Sequence, residues 1–135
     1  MNDDITINKI ETIMRCINRI QEEYIGFENK LDQNYTKQGS ILLNLEGASP
    51  STIDLSTHII RINSFGIPKT SRDVFELLNQ HSIISKEISE QMKKMVGFRN
   101  LAVHDYQNIS LDIVKSIVEN HLADFEAFVE EILNG

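Results

Sequence analysis

Residues Met92 to Tyr106, MKKMVGFRNLAVHDY, gather the side chains of this chain best suited to chemistry. Arg99 is followed directly by Asn100, then by His104 five positions on, then by Tyr106 two beyond that. A guanidinium grips a phosphate through a planar fork of donors and neutralises charge that builds on its oxygens. An imidazole, with an ordinary pKa of about 6.5, takes or gives a proton close to neutral pH. An amide orients a ribose hydroxyl or a phosphate oxygen. These are the parts of metal-free RNA cleavage, in which the 2′-hydroxyl attacks its own phosphate. DNA lacks that hydroxyl, so a site of this design is RNA-specific.

The spacing imposes a condition. Ile88, Met92, Met95, Val96, Leu101, Ala102 and Val103 follow a period near 3.6 and predict a helix with one buried face. On it Arg99 and His104 stand about 140° apart around the axis and about 7.5 Å along it. Asn100 and His104, at i and i+4, share a face. One helix does not aim both groups at a small target. Two copies packed antiparallel about a twofold axis would line one groove with two Arg, two Asn and two His, so a homodimer joined through the motif helices is expected. Taken alone, the Arg-x4-His pair reads equally as a surface Arg and a His capping the last turn, where the helix dipole favours a cation.

The rest of the chain must position that helix. Ile10, Ile13, Ile17, Ile20, Tyr24, Phe27 and Leu31 alternate steps of three and four, which predicts one long amphipathic helix from Ile7 to Leu31. A turn at Asp32 to Tyr35 leads to a second helix, with Leu42, Leu45, Leu55, Ile59 and Ile62 inward and Tyr35, Lys37 and Gln38 on the surface. The segment GASPS, Gly47 to Ser51, should kink or break it at Pro50. Asp54 and His58, one turn apart, are expected to pair with each other or to orient the motif helix. Thr70 or Ser71 caps a short helix, Arg72 to Asn79, and Ser85 caps the motif helix. Phe75, Leu77 and Leu78 read as core, His81 as exposed. Ser110 caps a last helix, Leu111 to Leu133, with Leu111, Val114, Ile117, Val118, Leu122, Phe125, Val129 and Ile132 inward and His121 beside them. The fold class is all-α: an antiparallel four-helix bundle with one extra short helix, as one domain over residues 1–135.

Composition narrows the function. The chain has 135 residues, 41% hydrophobic and 24% charged, with no apolar run of spanning length and no signal-peptide pattern, so no membrane is expected. Its single Cys16 excludes an internal disulfide and a cysteine metal cluster and suits the cytoplasm. The net charge of −7 argues against a general nucleic-acid binder. Lys93, Lys94 and Arg99 form the one local basic cluster, so RNA would be held by a few phosphate contacts in a cleft. No metal site is expected, and no cofactor: Gly-rich phosphate loops are absent, which leaves nucleotide chemistry to a partner.

The string RNLAVHDY resembles the signature of the HEPN superfamily (higher eukaryotes and prokaryotes nucleotide-binding domains), and more closely the HepT toxins with their Arg-x4-His-x-Tyr motif. NYTKQGSILLNL (34–45), IDLSTHII (53–60), GIPKTSRDVFELL (66–78) and MVGFRNLAVHDY (95–106) are similar, in that order, to a HepT-like subgroup, so the resemblance covers most of the chain. It implies a homodimeric, metal-independent ribonuclease toxin of a type VII-like toxin–antitoxin pair, with Arg99 and His104 as the catalytic pair and Asn100 as the polar residue beside them. It further implies that Tyr106 receives AMP from a cognate nucleotidyltransferase antitoxin; the added charge and bulk beside the phosphate site would repel RNA. Members of the subgroup carry a continuous helix-forming stretch where this chain has GASPS, so the groove near it is expected to differ. The alternative is a non-catalytic helical adaptor that binds a nucleotide or a nucleotidyltransferase, which the acidic composition favours.

Overall fold

The structure, a computed structural model, describes residues 3–104 and 111–134, with side chains at 3–100 and 111–134. Helix α1, Asp4–Tyr24, starts where the Asp3 carboxylate accepts hydrogen bonds from Thr6 N (3.0 Å) and the Thr6 hydroxyl (2.9 Å), satisfying an orphan donor of the first turn. Ile13, Ile17, Ile20 and Tyr24 are buried, as the stripe predicts. The helix does not run on to Leu31. Ile25 turns extended and Gly26 takes φ +86°, a left-handed conformation that costs glycine no Cβ clash. A 3-10 turn at Leu31–Gln33 then returns Leu31 to the core, while Phe27 stays outside beneath the Lys37 ammonium, 3.9 Å from its ring centre.

Helix α2, Tyr35–Asn63, runs unbroken through GASPS, against the expected interruption. Small side chains explain this. A Cβ on Gly47 would stand 3.1 Å from Cys16 Sγ, and Ala48, Ser49, Ser51 and Thr52 are buried, so α1 and α2 approach closely here. The Thr52 hydroxyl donates to Ser49 O and the Ser56 hydroxyl to Thr52 O, both at 2.7 Å, so these two hydroxyls are buried with acceptors, while the Ser49 hydroxyl has none among the described residues. A proline inside a helix costs about 3 kcal/mol. Burying Ile41, Leu45, Leu55 and Ile59 on the same helix contributes about 1.5–3 kcal/mol each and outweighs it.

Three polar contacts fix the antiparallel register of α1 on α2: Lys9 to Asp54 (3.3 Å), Glu23 to Lys37 (3.1 Å) and Asp3 to His58 (2.8 Å). Asp54 and His58 therefore pair with Lys9 and Asp3 at the start of α1 rather than with each other. Ser64, in the left-handed region, ends α2.

Helix α3, Asp73–Gln80, lies within one residue of its expected span, and Thr70 Oγ1 accepts from Asp73 N at 3.2 Å. His81 follows it, exposed, its ring stacked at 3.9 Å on Phe65. Helix α4, Lys86–His104, is capped by Ser85, whose Oγ accepts from Ile88 N at 3.2 Å. The expected single last helix is two, α5 (Leu111–Asn120) and α6 (Leu122–Asn134), broken at His121. His121 Nδ1 meets Asp124 Oδ2 at 2.9 Å, a local bond that competes with helix continuity, and the break lets Phe128 join Phe125, Val129 and Ile132 in the core.

Among the described residues every regular element is helical, and no helix is long and apolar enough to cross a membrane. The expected turn Gln107 to Ile109 and the Ser110 cap lie outside the described residues.

A methyl group placed on Gly26 would have no atom within 4 Å, so Gly26→Ala meets only the conformational penalty. It should cost about 1–2 kcal/mol and lower Tm by several degrees in thermal unfolding. An unchanged Tm would contradict the left-handed turn as the terminator of α1.

Candidate active site

Helix α4 is gripped by α2, α3 and α6. Ile88, Met92, Met95 and Val96 are buried on its inner face, as the periodicity predicts. Glu131 of α6 accepts from Ser85 N (2.5 Å) and from the Ser85 hydroxyl (3.2 Å), tying the start of α4 to the far end of the bundle. A cavity of about 470 Å³ lies here, lined by Asn79, Ser85, Glu131 and Asn134. The Glu131 carboxylate already occupies the positive end of α4, so this cavity is poorly suited to an anion. The motif residues Arg99 and Asn100 lie towards the other end of α4.

The outer face of α4 carries Lys93, Lys94, Gly97 and Asn100, while Arg99, at i+3 from Val96 and i+4 from Met95, continues the inner stripe at its half-buried end. Lys93 is not a free cation. Its ammonium donates to Glu76 of α3 and, at 3.2 Å, to Glu90; the Glu76 hydrogen bond above all raises its pKa from the ordinary 10.5, against the opposing effect of burial. The expected basic cluster thus loses one member to structure. Lys94 is exposed.

Arg99 is half-buried. Its Nη1 donates to Asn100 Oδ1 over a long 3.4 Å, and its Nε is shielded from water with no hydrogen-bond acceptor among the described residues. Buried polar groups are nearly always paired, and an unpaired donor costs about 1–3 kcal/mol. One edge of the guanidinium is therefore in want of an acceptor, beside an amide offering both donor and acceptor. That arrangement suits an anionic oxygen ligand such as a phosphate.

The structure brings Arg99 and Asn100 together. His104 is the last residue of α4, which keeps it in helical register with both; its side chain, and Tyr106 altogether, lie outside the described residues. Of the other polar residues noted in the sequence, Tyr35 is 82% exposed. Lys37 and Gln38 serve the α1–α2 turn, Gln38 donating to Leu31 O at 2.8 Å.

One residue beside the motif helix, read in the sequence only as the start of a short helix, takes its place from the packing. The Lys93–Glu76 pair sets α3 antiparallel to α4, and one turn before Glu76 the N-cap residue Arg72 lies over Gly97, with Nη2 3.1 Å from where a Cβ would stand. The contact depends on a through-space register that no local pattern announces.

The family model for ribonuclease HepT-like proteins matches residues 10–132. The chain is 50% identical over 130 residues to an mRNA nuclease HepT of Shewanella oneidensis, covering 96% of this chain and 97% of the relative. It is 27% identical over 127 residues to a tRNA nuclease HepT of Aphanizomenon flos-aquae, covering 91% and 86%. A solved tri-AMPylated HEPN toxin of Shewanella oneidensis, in complex with an MNT antitoxin, superposes with a TM-score of 0.92 at 48% identity, covering 98% and 99%. The helical architecture and its motif helix are thus those of a HEPN toxin. Within that class the chain belongs to the ribonuclease HepT-like family.

The Lys93–Glu76 pair makes a prediction with a definite sign. Because folding raises the Lys93 pKa, the pair stabilises below the ordinary value of 10.5 and is lost as pH rises through the folded value. Glu76→Gln should lower Tm at pH 7 to 10, and the gap from the unsubstituted protein should close at higher pH. A gap independent of pH would show that the contact does not act through the lysine charge.

Proposed function

We propose that this chain, an endoribonuclease and the toxin of a toxin–antitoxin pair, cleaves mRNA without a metal at a cleft shared by two copies. Arg99 and Asn100 bind the scissile phosphate, and His104 moves the protons. The observation that carries this reading is the Arg99 Nε donor, buried without an acceptor beside Asn100 on the last turns of α4.

In the reaction the ribose 2′-oxygen bonds to the adjacent phosphorus as the bond from phosphorus to O5′ breaks. One imidazole takes the 2′-hydroxyl proton, and a second imidazole gives a proton to the leaving O5′. Arg99 offsets the charge that grows on the non-bridging oxygens. A single α4 supplies one imidazole, about 140° around the axis from its Arg99. A second copy, antiparallel across a twofold axis, supplies the other and closes the groove.

Silencing follows from charge. A cognate nucleotidyltransferase joins AMP to the Tyr106 oxygen with loss of pyrophosphate from ATP, placing anionic phosphate two residues from His104. RNA is then repelled from the cleft and sterically blocked. The tri-AMPylated state of the solved Shewanella relative, bound to its antitoxin, supports this, and the mRNA nuclease name of the half-identical relative supports the substrate class. A cytoplasmic location fits both the RNA substrate and the modifying nucleotide.

Arg99→Ala and His104→Ala should each lower mRNA cleavage in EDTA by at least about 100-fold. Undiminished cleavage by both variants would remove the assignment.

A further inference from the structure

Arg72 has no role in the site described so far, yet its position is built. Its guanidinium lies on α4 at Gly97, where any side chain beyond hydrogen would crowd it. The Glu76–Lys93 ion pair holds α3 against α4 one turn away and so fixes the placement. No ion pair or hydrogen bond neutralises Arg72 among the described residues, although Glu76 and Glu90 are both close in sequence to its contacts; Lys93 takes both carboxylates. Arg72 is exposed to solvent.

The helical register of α4 links this cation to the catalytic end. His104 is seven residues, two full turns, beyond Gly97 and so falls on the same face, about 10.5 Å along the axis. Asn100, three residues from Gly97, flanks the same stripe. That distance equals roughly three stacked nucleotides of a single strand. We propose that Arg72 binds a backbone phosphate of the RNA one to three nucleotides from the cut and so sets the register of the strand along α4. This rests on the ribonuclease reading above.

A phosphate contact outside the scissile group should act on binding more than on chemistry. Arg72→Ala should raise KM for single-stranded RNA roughly tenfold, with a smaller change in kcat, and Arg72→Lys should recover part of the loss. In a His104→Ala background, which prevents cleavage, RNA binding followed by fluorescence anisotropy should show the salt slope reduced by about 0.7 in Arg72→Ala. Thermal unfolding of Arg72→Ala should be near that of the unsubstituted protein, since the side chain is exposed. Unchanged KM and salt slope would overturn the proposal while leaving the ribonuclease reading intact. So would a loss confined to binding of the nucleotidyltransferase, which would make Arg72 an antitoxin contact. If the unsubstituted chain cleaves no RNA, the ribonuclease reading fails, and with an unchanged anisotropy slope the proposal fails separately.

Discussion

A buried donor without an acceptor is the constraint on which this site depends. Arg99 Nε is out of water and unpaired among the described residues, at a cost of about 1–3 kcal/mol. The fold can carry that cost because the same helix buries Ile88, Met92, Met95 and Val96, each contributing about 1.5–3 kcal/mol. An arginine with a carboxylate partner would be more comfortable and less useful. Left unsatisfied, the fork is preorganised for an anionic oxygen, and binding that oxygen returns energy that folding withheld.

The neighbouring charges keep to the same logic. Lys93 is committed to Glu76 and Glu90, so it clamps α3 to α4 and takes no part in holding an anion. The clamp in turn lays Arg72 on Gly97. A chain of net charge −7 can thus keep a few cations available around α4 without becoming a general nucleic-acid binder. Specificity for RNA then rests on the 2′-hydroxyl chemistry rather than on a broad basic surface.

Periodicity made most of the fold legible, because burial enforces it. Ile13, Ile17, Ile20 and Tyr24 of α1, Ile88, Met92, Met95 and Val96 of α4, and Val114, Ile117, Val118, Leu122, Phe125, Val129 and Ile132 of the last two helices are buried where spacing assigned them, and Ser85 caps as its type predicts. The departures share one cause. Leu31 continues the α1 stripe, yet reaches the core through a glycine turn and a 3-10 turn, which burial alone cannot distinguish from a helix. Pro50 is a breaker by local rule, but close packing of Gly47 on Cys16 keeps α2 whole. His121 looks compatible with a helix until its ring finds Asp124. In each case something the hydrophobic pattern does not record, a left-handed glycine, a close helix contact or a side-chain hydrogen bond, decides the backbone. The candidate site divides the same way: Arg99 and Asn100 were visible as a motif, whereas the pairing of Lys93 and the placement of Arg72 over Gly97 depend on the α3–α4 register.

The central claim is that both copies serve one cleft, and a mixed dimer tests it most directly. One unsubstituted chain and one His104→Ala chain, carrying different tags, can be purified together and assayed for RNA cleavage. A shared cleft that needs an imidazole from each copy predicts a rate below about a hundredth of that of the unsubstituted dimer. A rate near one half would mean that each copy works alone, and would contradict the account.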